Sequence, residues 1–425
     1  MNGITICHSM MESIGELIQS DGFRLAYRIG NSFSRKRKLV FENLIYFLLH
    51  QSKKSLSINI ADFLEDFPQL GIYEISKQAI SKARKGINFQ GFAELMRVST
   101  LKFYELCKTP NTWHGYHVFG IDGTSLQMPQ TEQNLREFGI STNQSGTKFA
   151  MASASICFDI MNDMVIDAQI NICNYSERKF ALQHLMAFDS FTVGTKAIIL
   201  FDRGYPSFDM YRKLTEQNRL FVMRLKNSSR ALDGISTNDA IIDYGPNYPK
   251  GHSARLRVIH IPLDSGNEEI LITNIFDPQI TIAMFKELYF LRWGVEGKYQ
   301  ELKNQLQLES FSGSSPLVIR QDFYITAFFS NIASVIKKEV DLAIQKETKH
   351  LKRKHSYQGN RGFLINRIKK HLVKMLLDLE NATVILRRIY YTAQKVRSQI
   401  QPDRKYERKV RHKKRKHHHN RKPCL

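Results

Sequence analysis

From Met10 to about Lys108, apolar residues recur at helical spacing, as in Phe41, Leu44, Ile45, Leu48 and Leu49 and again in Phe92, Leu95 and Met96. That period predicts an all-helical N-terminal region. Within it, residues 57–64 read as a short helix, a turn containing Pro68 and Gly71 follows, and residues 75–84 read as a second helix. A helix-turn-helix of this kind would put Lys77, Gln78, Ser81, Lys82 and Lys85 where a DNA major groove could meet them. The alternative is an ordinary amphipathic helix with a solvated basic face.

Around Tyr116 the pattern changes to short β-branched and aromatic runs at residues 116–121, 149–158 and 164–172, the last two joined by a turn at Met161, Asn162 and Asp163. Three antiparallel strands are the simplest reading. A helix is expected at 177–188, a strand at 197–201, a helix at 207–217 and a strand at 220–225. This element order is that of a mixed α/β fold, a sheet covered by helices. Between residues 226 and 277 the chain alternates polar and apolar positions at 255–261 and 269–273, joined through 264–267, which predicts a β-rich insertion. Helix then dominates from Ile282 through Gln307 and from Gln321 to about Ile400, interrupted by a basic loop at 352–361.

The expected boundaries are therefore a helical domain at residues 1–112, a sheet domain in two pieces at 113–225 and 279–330, the insertion at 226–278, a helical region at 331–402 and a tail at 403–425. At 425 residues, two or three folding units are the natural expectation.

Charge sharpens this picture. Lys and Arg outnumber Asp and Glu 62 to 40, a formal charge of +22, which points to polyanionic partners. The tail carries 11 Lys or Arg against two acidic residues and is expected to be disordered when free, adding non-specific phosphate contacts or serving only as a solubilising extension. Its His417, His418 and His419 are given no catalytic role, because a flexible tail cannot hold a metal cage in place. Five scattered cysteines show neither zinc-site nor disulfide spacing and fit a reducing cytosol. No apolar run is long enough to span a bilayer and no secretory signal is evident, so a soluble cytoplasmic protein without membrane partners is expected.

Two aspartates stand where chemistry is expected. Asp122 ends a predicted strand before Gly123, Thr124 and Ser125, and Asp202 ends another before Arg203, Gly204, Tyr205 and Pro206. Ligands of open sheets collect at such strand ends, and two-metal phosphoryl transfer needs several carboxylates converging there. The alternative for each aspartate alone is a turn former. A third acidic candidate is Glu296. Tyr289, Arg292, Glu296 and Lys303 lie at offsets of 3, 7 and 14 along one predicted helix, within an arc of roughly 60° at about 100° per residue. Such a face suits DNA phosphates and a metal cage better than a dry core. The competing reading is a surface helix with an Arg292–Glu296 pair at i,i+4. Gly294 and Gly297 flank Glu296 at a helix cost of about 1 kcal/mol each, so a close backbone approach to DNA or to the sheet is expected there.

The run YFLRWGVEGKYQELK resembles the Tyr-Arg-Glu-Lys motif of the DDE transposases of the insertion-sequence-four type. Gly120-Ile121-Asp122-Gly123-Thr124 resembles their first-aspartate motif and Phe201-Asp202-Arg203-Gly204-Tyr205 their second, in the same order and with a β-rich insertion before the glutamate. The resemblance covers about residues 115 to 330 and implies a ribonuclease-H-like catalytic domain. It implies Asp122, Asp202 and Glu296 as catalytic metal ligands, with two Mg²⁺ per site and Mn²⁺ as a substitute, and Tyr289, Arg292 and Lys303 as DNA contacts. By analogy the N-terminal helices bind transposon ends, with Lys77, Gln78, Ser81 and Lys82 on DNA, and the C-terminal helices aid a homodimer assembled on DNA.

The function so implied is cut-and-paste transposition: binding of terminal inverted repeats, then strand cleavage and strand transfer on double-stranded DNA, ends and target alike, with no small-molecule substrate. A hairpin at the excised ends is associated with that family. Two alternatives keep the fold: a catalytically inactive, domesticated DNA-binding protein, and a structure-specific DNA nuclease.

Overall fold

The computed structural model describes residues 3–400 except 36–38, 143–145, 193–195, 246–252, 264–265 and 352–353. The basic tail and its histidines lie outside the described residues. In chain order the elements are α1 (Gly3–Gln19), α2 (Asp21–Tyr27), α3 (Phe41–His50), α4 (Leu56–Asp66), α5 (Lys77–Arg84), α6 (Gln90–Leu106), β1 (His117–Gln127), α7 (Glu132–Phe138), β2 (Ile140–Thr142), β3 (Lys148–Asp159) and β4 (Met164–Ile172). There follow α8 (Glu177–Thr192), β5 (Ala197–Phe201), α9 (Phe208–Glu216), β6 (Leu220–Arg224), β7 (Asp239–Tyr244), β8 (Ala254–Pro262) and β9 (Glu268–Thr273). Last come α10 (Ile282–Phe290), α11 (Trp293–Gln300), α12 (Pro316–Thr348), β10 (Ser356–Gly359), α13 (Arg361–Leu377), α14 (Leu379–Lys395) and β11 (Arg397–Ile400). Among the described residues no helix is long and apolar enough to cross a membrane.

The chain divides into two compact units, one of Met1–Lys108, Ser125–Ala152 and Leu302–Leu425, the other of Thr109–Thr124 and Ser153–Glu301. In the first, α12 begins with Ser315 capping Val318 N and Pro316 in the first turn, where a missing N–H costs nothing. Its central residues are buried on every side, and α1, α6, α13 and α14 pack around it. Helix α5 starts at the Ser76 cap, which accepts from Ala79 N at 3.1 Å. It buries only Ile80 and Arg84, one turn apart. Arg84 reaches a buried carboxylate, its Nη2 2.6 Å from Asp322 Oδ1, while its Nε donates to Gln321 and its Nη1 to Ser312, both at 2.6 Å.

The second unit is a mixed α/β layer. Its sheet runs β3-β1-β5-β6-β9-β8-β7, with β4 paired to β3. Strand β5 is parallel to both β1 and β6, whereas β9 is antiparallel to β6. Helix α10 covers one face, its Phe285, Leu288 and Tyr289 joining Val118, Ile198, Leu200, Val222, Ile259 and Leu271 in a buried cluster. A central mixed sheet flanked by helices, with a β-rich insertion, is the ribonuclease-H-like architecture expected.

Several local expectations need correcting. Strand β1 does not stop at Ile121 but continues to Gln127, so Asp122 sits within a strand; beyond it Ser125 is exposed and Leu126 buried. The insertion contains three strands, and β9 pairs with β6, so it extends the main sheet. The strand at 239–244 was hidden because its apolar members, Ala240 and Ile242, are only half buried and Ile241 is exposed. The helix expected over 282–307 divides into α10, α11 and a π turn at Glu301–Gln305. Over 321–400 the interruption expected at 352–361 separates α12 from α13 and contains β10, while a further break at Asp378, not foreseen, separates α13 from α14, and β11 follows α14.

Candidate active site

Register places the two aspartates side by side. In the parallel pair β1–β5, Ile121 lies opposite Phe201, so the next residue on each chain is an aspartate. Neighbouring strands run about 4.8 Å apart, which brings Asp122, midway along β1, beside Asp202, just past the end of β5 at the centre of the sheet. The side chain of Asp122 is only 21% exposed. Burial pushes its carboxyl up to about 6 from an ordinary 3.8, assisted by the negative charges of Asp202 and Glu177 and opposed by the Gly123 N–H and Arg292. The Gly123 N–H donates to Asp122 Oδ1 at 2.8 Å.

The backbone of Asp122 is fastened from behind. Its carbonyl oxygen accepts from Tyr299 Oη at 2.8 Å and from Ser155 Oγ at 2.9 Å. Ser155 Oγ lies 2.9 Å from His184 Nε2, and His184 Nδ1 lies 2.7 Å from Asp167 Oδ2. Serine, histidine and aspartate here have a hydrolase-like spacing. Ser155 and His184 are fully buried, however, and the hydroxyl donates to a peptide carbonyl, so the arrangement anchors a strand and presents no nucleophile. Sequence spacing gave no sign of it, because its members come from β3, α8 and β4.

Glu296 arrives on α11. The turn before it is tight: Leu291, Arg292, Gly294 and Val295 each donate to the residue three back, as in a 3₁₀ turn. The π turn after α11 is wider, so the four motif residues do not share one straight helical face. Tyr289, next to last in α10, is 3% exposed, with its hydroxyl donating at 3.3 Å to the carbonyl of Phe201, the residue before Asp202. Arg292 is 4% exposed. Its Nη2 donates to Glu296 Oε1 at 3.1 Å, and its Nη1 stands 4.0 Å from Asp122 Oδ2. One guanidinium thus joins Asp122 to Glu296, and the i,i+4 pair foreseen as the bland alternative is present as part of the site. Its Nε and Nη1 are buried without hydrogen-bond partners.

Close approach explains one of the two glycines. A β-carbon on Gly294 would stand 3.0 Å from Ile160 Cγ2, whereas at Gly297 it would meet nothing within 4 Å. Lys303 belongs to the first unit, where its Nζ donates to Ser125 O at 2.8 Å. Lys77, Gln78, Ser81 and Lys82 are exposed on α5 in the same unit. A carboxylate not foreseen from the sequence, Glu177 at the start of α8, accompanies the aspartates. Burial raises its carboxyl, with Asp202 adding to the effect and Arg178 opposing it.

A family model described as the transposase DDE domain matches residues 113–332, a span that contains both aspartates, the glutamate and all of the sheet strands from β1 to β9. The chain belongs to this transposase family. No curated protein matches the sequence. Among solved structures, the chain is similar to a piggyBac transposase, described in a cryo-EM structure of its synaptic complex with hairpin DNA, at 11% identity and a TM-score of 0.46 over 92% of this chain and 84% of that one.

Members of the transposase family use divalent-metal chemistry. Among the described residues no three His, Cys, Asp or Glu side chains are arranged as they stand to hold a metal ion. The donors nevertheless fit one: Asp122 and Asp202 offer hard oxygen ligands side by side, and burial makes the Asp122 carboxylate costly to keep charged without a cation. Glu296 is engaged by Arg292, the cation that lies between it and Asp122.

Proposed function

We propose that this transposase cuts and pastes DNA: it binds the terminal inverted repeats of its element, cleaves there and joins the freed 3′ ends to target DNA. The observation that carries the reading is the placement of Asp122 and Asp202 directly after the paired Ile121 and Phe201 of parallel strands, with Arg292 linking Asp122 to Glu296. Asp122, Asp202 and Glu296 would hold two Mg²⁺ ions, with Mn²⁺ as a substitute. When bound, the ions supply Lewis-acid polarisation of the phosphodiester and a water of lowered pKa.

The chain's own groups do the rest. Arg292, with two guanidinium nitrogens lacking hydrogen-bond partners, turns toward a phosphate oxygen of the scissile strand and frees Glu296 for the cation. Tyr289 holds the end of β5 through Phe201 and so positions Asp202, in place of the direct DNA contact the motif suggested. Lys303 grips a flanking phosphate, and Lys77, Gln78, Ser81 and Lys82 of α5 read or hold the transposon end. Concerted joining of two ends calls for a homodimer assembled on DNA, working in the bacterial cytoplasm.

Cleavage of a duplex carrying the element's own ends, measured against branched DNA and against a duplex of unrelated sequence, tests this function. Mg²⁺-dependent cutting confined to the end-bearing duplex supports it. Cutting of branched DNA regardless of end sequence makes the chain a structure-specific nuclease, and binding without cutting makes it a domesticated binder.

A further inference from the structure

A fourth carboxylate stands at the aspartate pair, and neither the motif nor the family match gives it a role. Glu177 is the first residue of α8. Its Oε1 lies 3.4 Å from the point a β-carbon of Gly123 would occupy, and its Oε2 lies 2.6 Å from the equivalent point on Gly204. Gly123 directly follows Asp122, and Gly204 lies two residues beyond Asp202. Neither glycine has a positive φ, so backbone conformation does not require glycine at these positions. A β-carbon at Gly204 would displace the Glu177 carboxylate from its place, whereas one at Gly123 would make only ordinary contact with it.

The rest of the local structure holds that carboxylate in place. Arg178 Nε donates to Tyr205 O at 3.1 Å and its Nη2 to Pro206 O at 2.9 Å, which fastens the start of α8 to the loop after Asp202. Tyr205 is fully buried and its hydroxyl has no hydrogen-bond partner; burial pushes that hydroxyl up, with Asp122, Glu177, Tyr299 and Asp202 adding to the effect. A favourable helix dipole offers a carboxylate only about 0.3–1 kcal/mol. That does not account for an acidic side chain turned toward two others, with Gly204 leaving its carboxylate room. A shared cation does.

We infer that Glu177 is a further oxygen ligand of the metal centre, its side chain and those of Asp122 and Asp202 closing on a divalent cation that they do not enclose as they stand. The inference rests on the reading of that pair as metal ligands.

Mn²⁺ alone, titrated into the DNA-free full chain by calorimetry, tests it without recourse to cleavage. Glu177→Gln is expected to weaken Mn²⁺ binding about 10- to 100-fold without lowering the thermal midpoint of the metal-free protein. Gly204→Ala, whose β-carbon displaces the Glu177 carboxylate, is expected to do the same. Asp122→Asn serves as the reference. If Asp122→Asn loses Mn²⁺ while Glu177→Gln binds it as tightly as the parent, Glu177 is no ligand and the inference falls alone. If Asp122→Asn also binds Mn²⁺ unchanged, the reading of the aspartate pair falls with it.

Discussion

Val295, the residue before Glu296, packs directly on Gly120, two residues before Asp122, so that a β-carbon on Gly120 would occupy the space of the valine Cγ2. The contact sets the distance between the glutamate helix and the strand that carries the first aspartate. It also gives the glycine of the first-aspartate motif a physical reason. Gly120→Ala is expected to displace α11, and displacements of about 1 Å near reacting groups cost on the order of 100-fold in rate. Single-turnover cleavage should fall by that order while end binding in a gel-shift assay is retained. Unchanged cleavage would show that the Gly120–Val295 spacing is immaterial.

The two glycines beside Glu296 should respond differently to alanine. At Gly297 the added methyl meets nothing, and alanine favours a helix interior by about 1 kcal/mol, so Gly297→Ala should raise the thermal midpoint. Gly294→Ala must push Ile160 aside and should lower cleavage without that gain in stability. Differential scanning calorimetry and cleavage rates of the pair separate the two effects.

Asp122 makes the metal-free protein's stability depend on pH. Its folded-state pKa, about 6, is raised above the ordinary 3.8, so the folded state binds this proton more tightly than the unfolded chain. The resulting stabilisation is complete below about pH 4 and is lost as pH rises through about 6, a difference of roughly 3 kcal/mol at about 1.36 kcal/mol per pH unit. Asp122→Asn removes the charge and should be more stable than the parent at pH 7.5 in a chelator, with the advantage vanishing toward pH 4. Urea denaturation at the two pH values measures it.

In the helical unit, Arg84 is the buried partner of Asp322. Although burial opposes the charge of Asp322, Arg84 and Lys53 outweigh it and hold the carboxyl below its usual range. Removing one member of a buried pair costs about 3–5 kcal/mol, whereas replacing both with apolar residues is often neutral. Arg84→Met should therefore destabilise strongly, and Arg84→Met with Asp322→Leu should recover most of the loss in chemical denaturation. Because Arg84 is one of the two residues by which α5 is buried, DNA-end binding should weaken with it.

Much of this was legible in the sequence where a local pattern decides the outcome. Strands β3, β4, β5 and β6 and helices α8 and α9 followed from hydrophobic period and turn residues within a few positions. Asp202 was placed correctly after its strand, because Gly204 and Pro206 end β5. Asp122 was not, since the strand continues through Gly123, and only the pairing partner decides whether a glycine there turns the chain. Four motif residues at helical spacing suggested a single face. The 3₁₀ turn at Arg292 and the π turn at Lys303 broke that geometry, and neither has a sequence signature. Glu177, Ser155 and His184 stayed hidden for a common reason: Glu177 and Ser155 meet the aspartates, and His184 meets Ser155, only through tertiary contact that no spacing along the chain encodes.

The central claim is that Asp122, Asp202 and Glu296 form one ion-dependent catalytic centre. Mg²⁺-dependent cleavage of an end-bearing duplex by the Asp122→Ala, Asp202→Ala and Glu296→Ala variants, with binding to the same duplex followed in parallel, tests it most directly. The account predicts that each variant binds the ends and none cleaves them. Cleavage at the parent rate by any one of the three would contradict it.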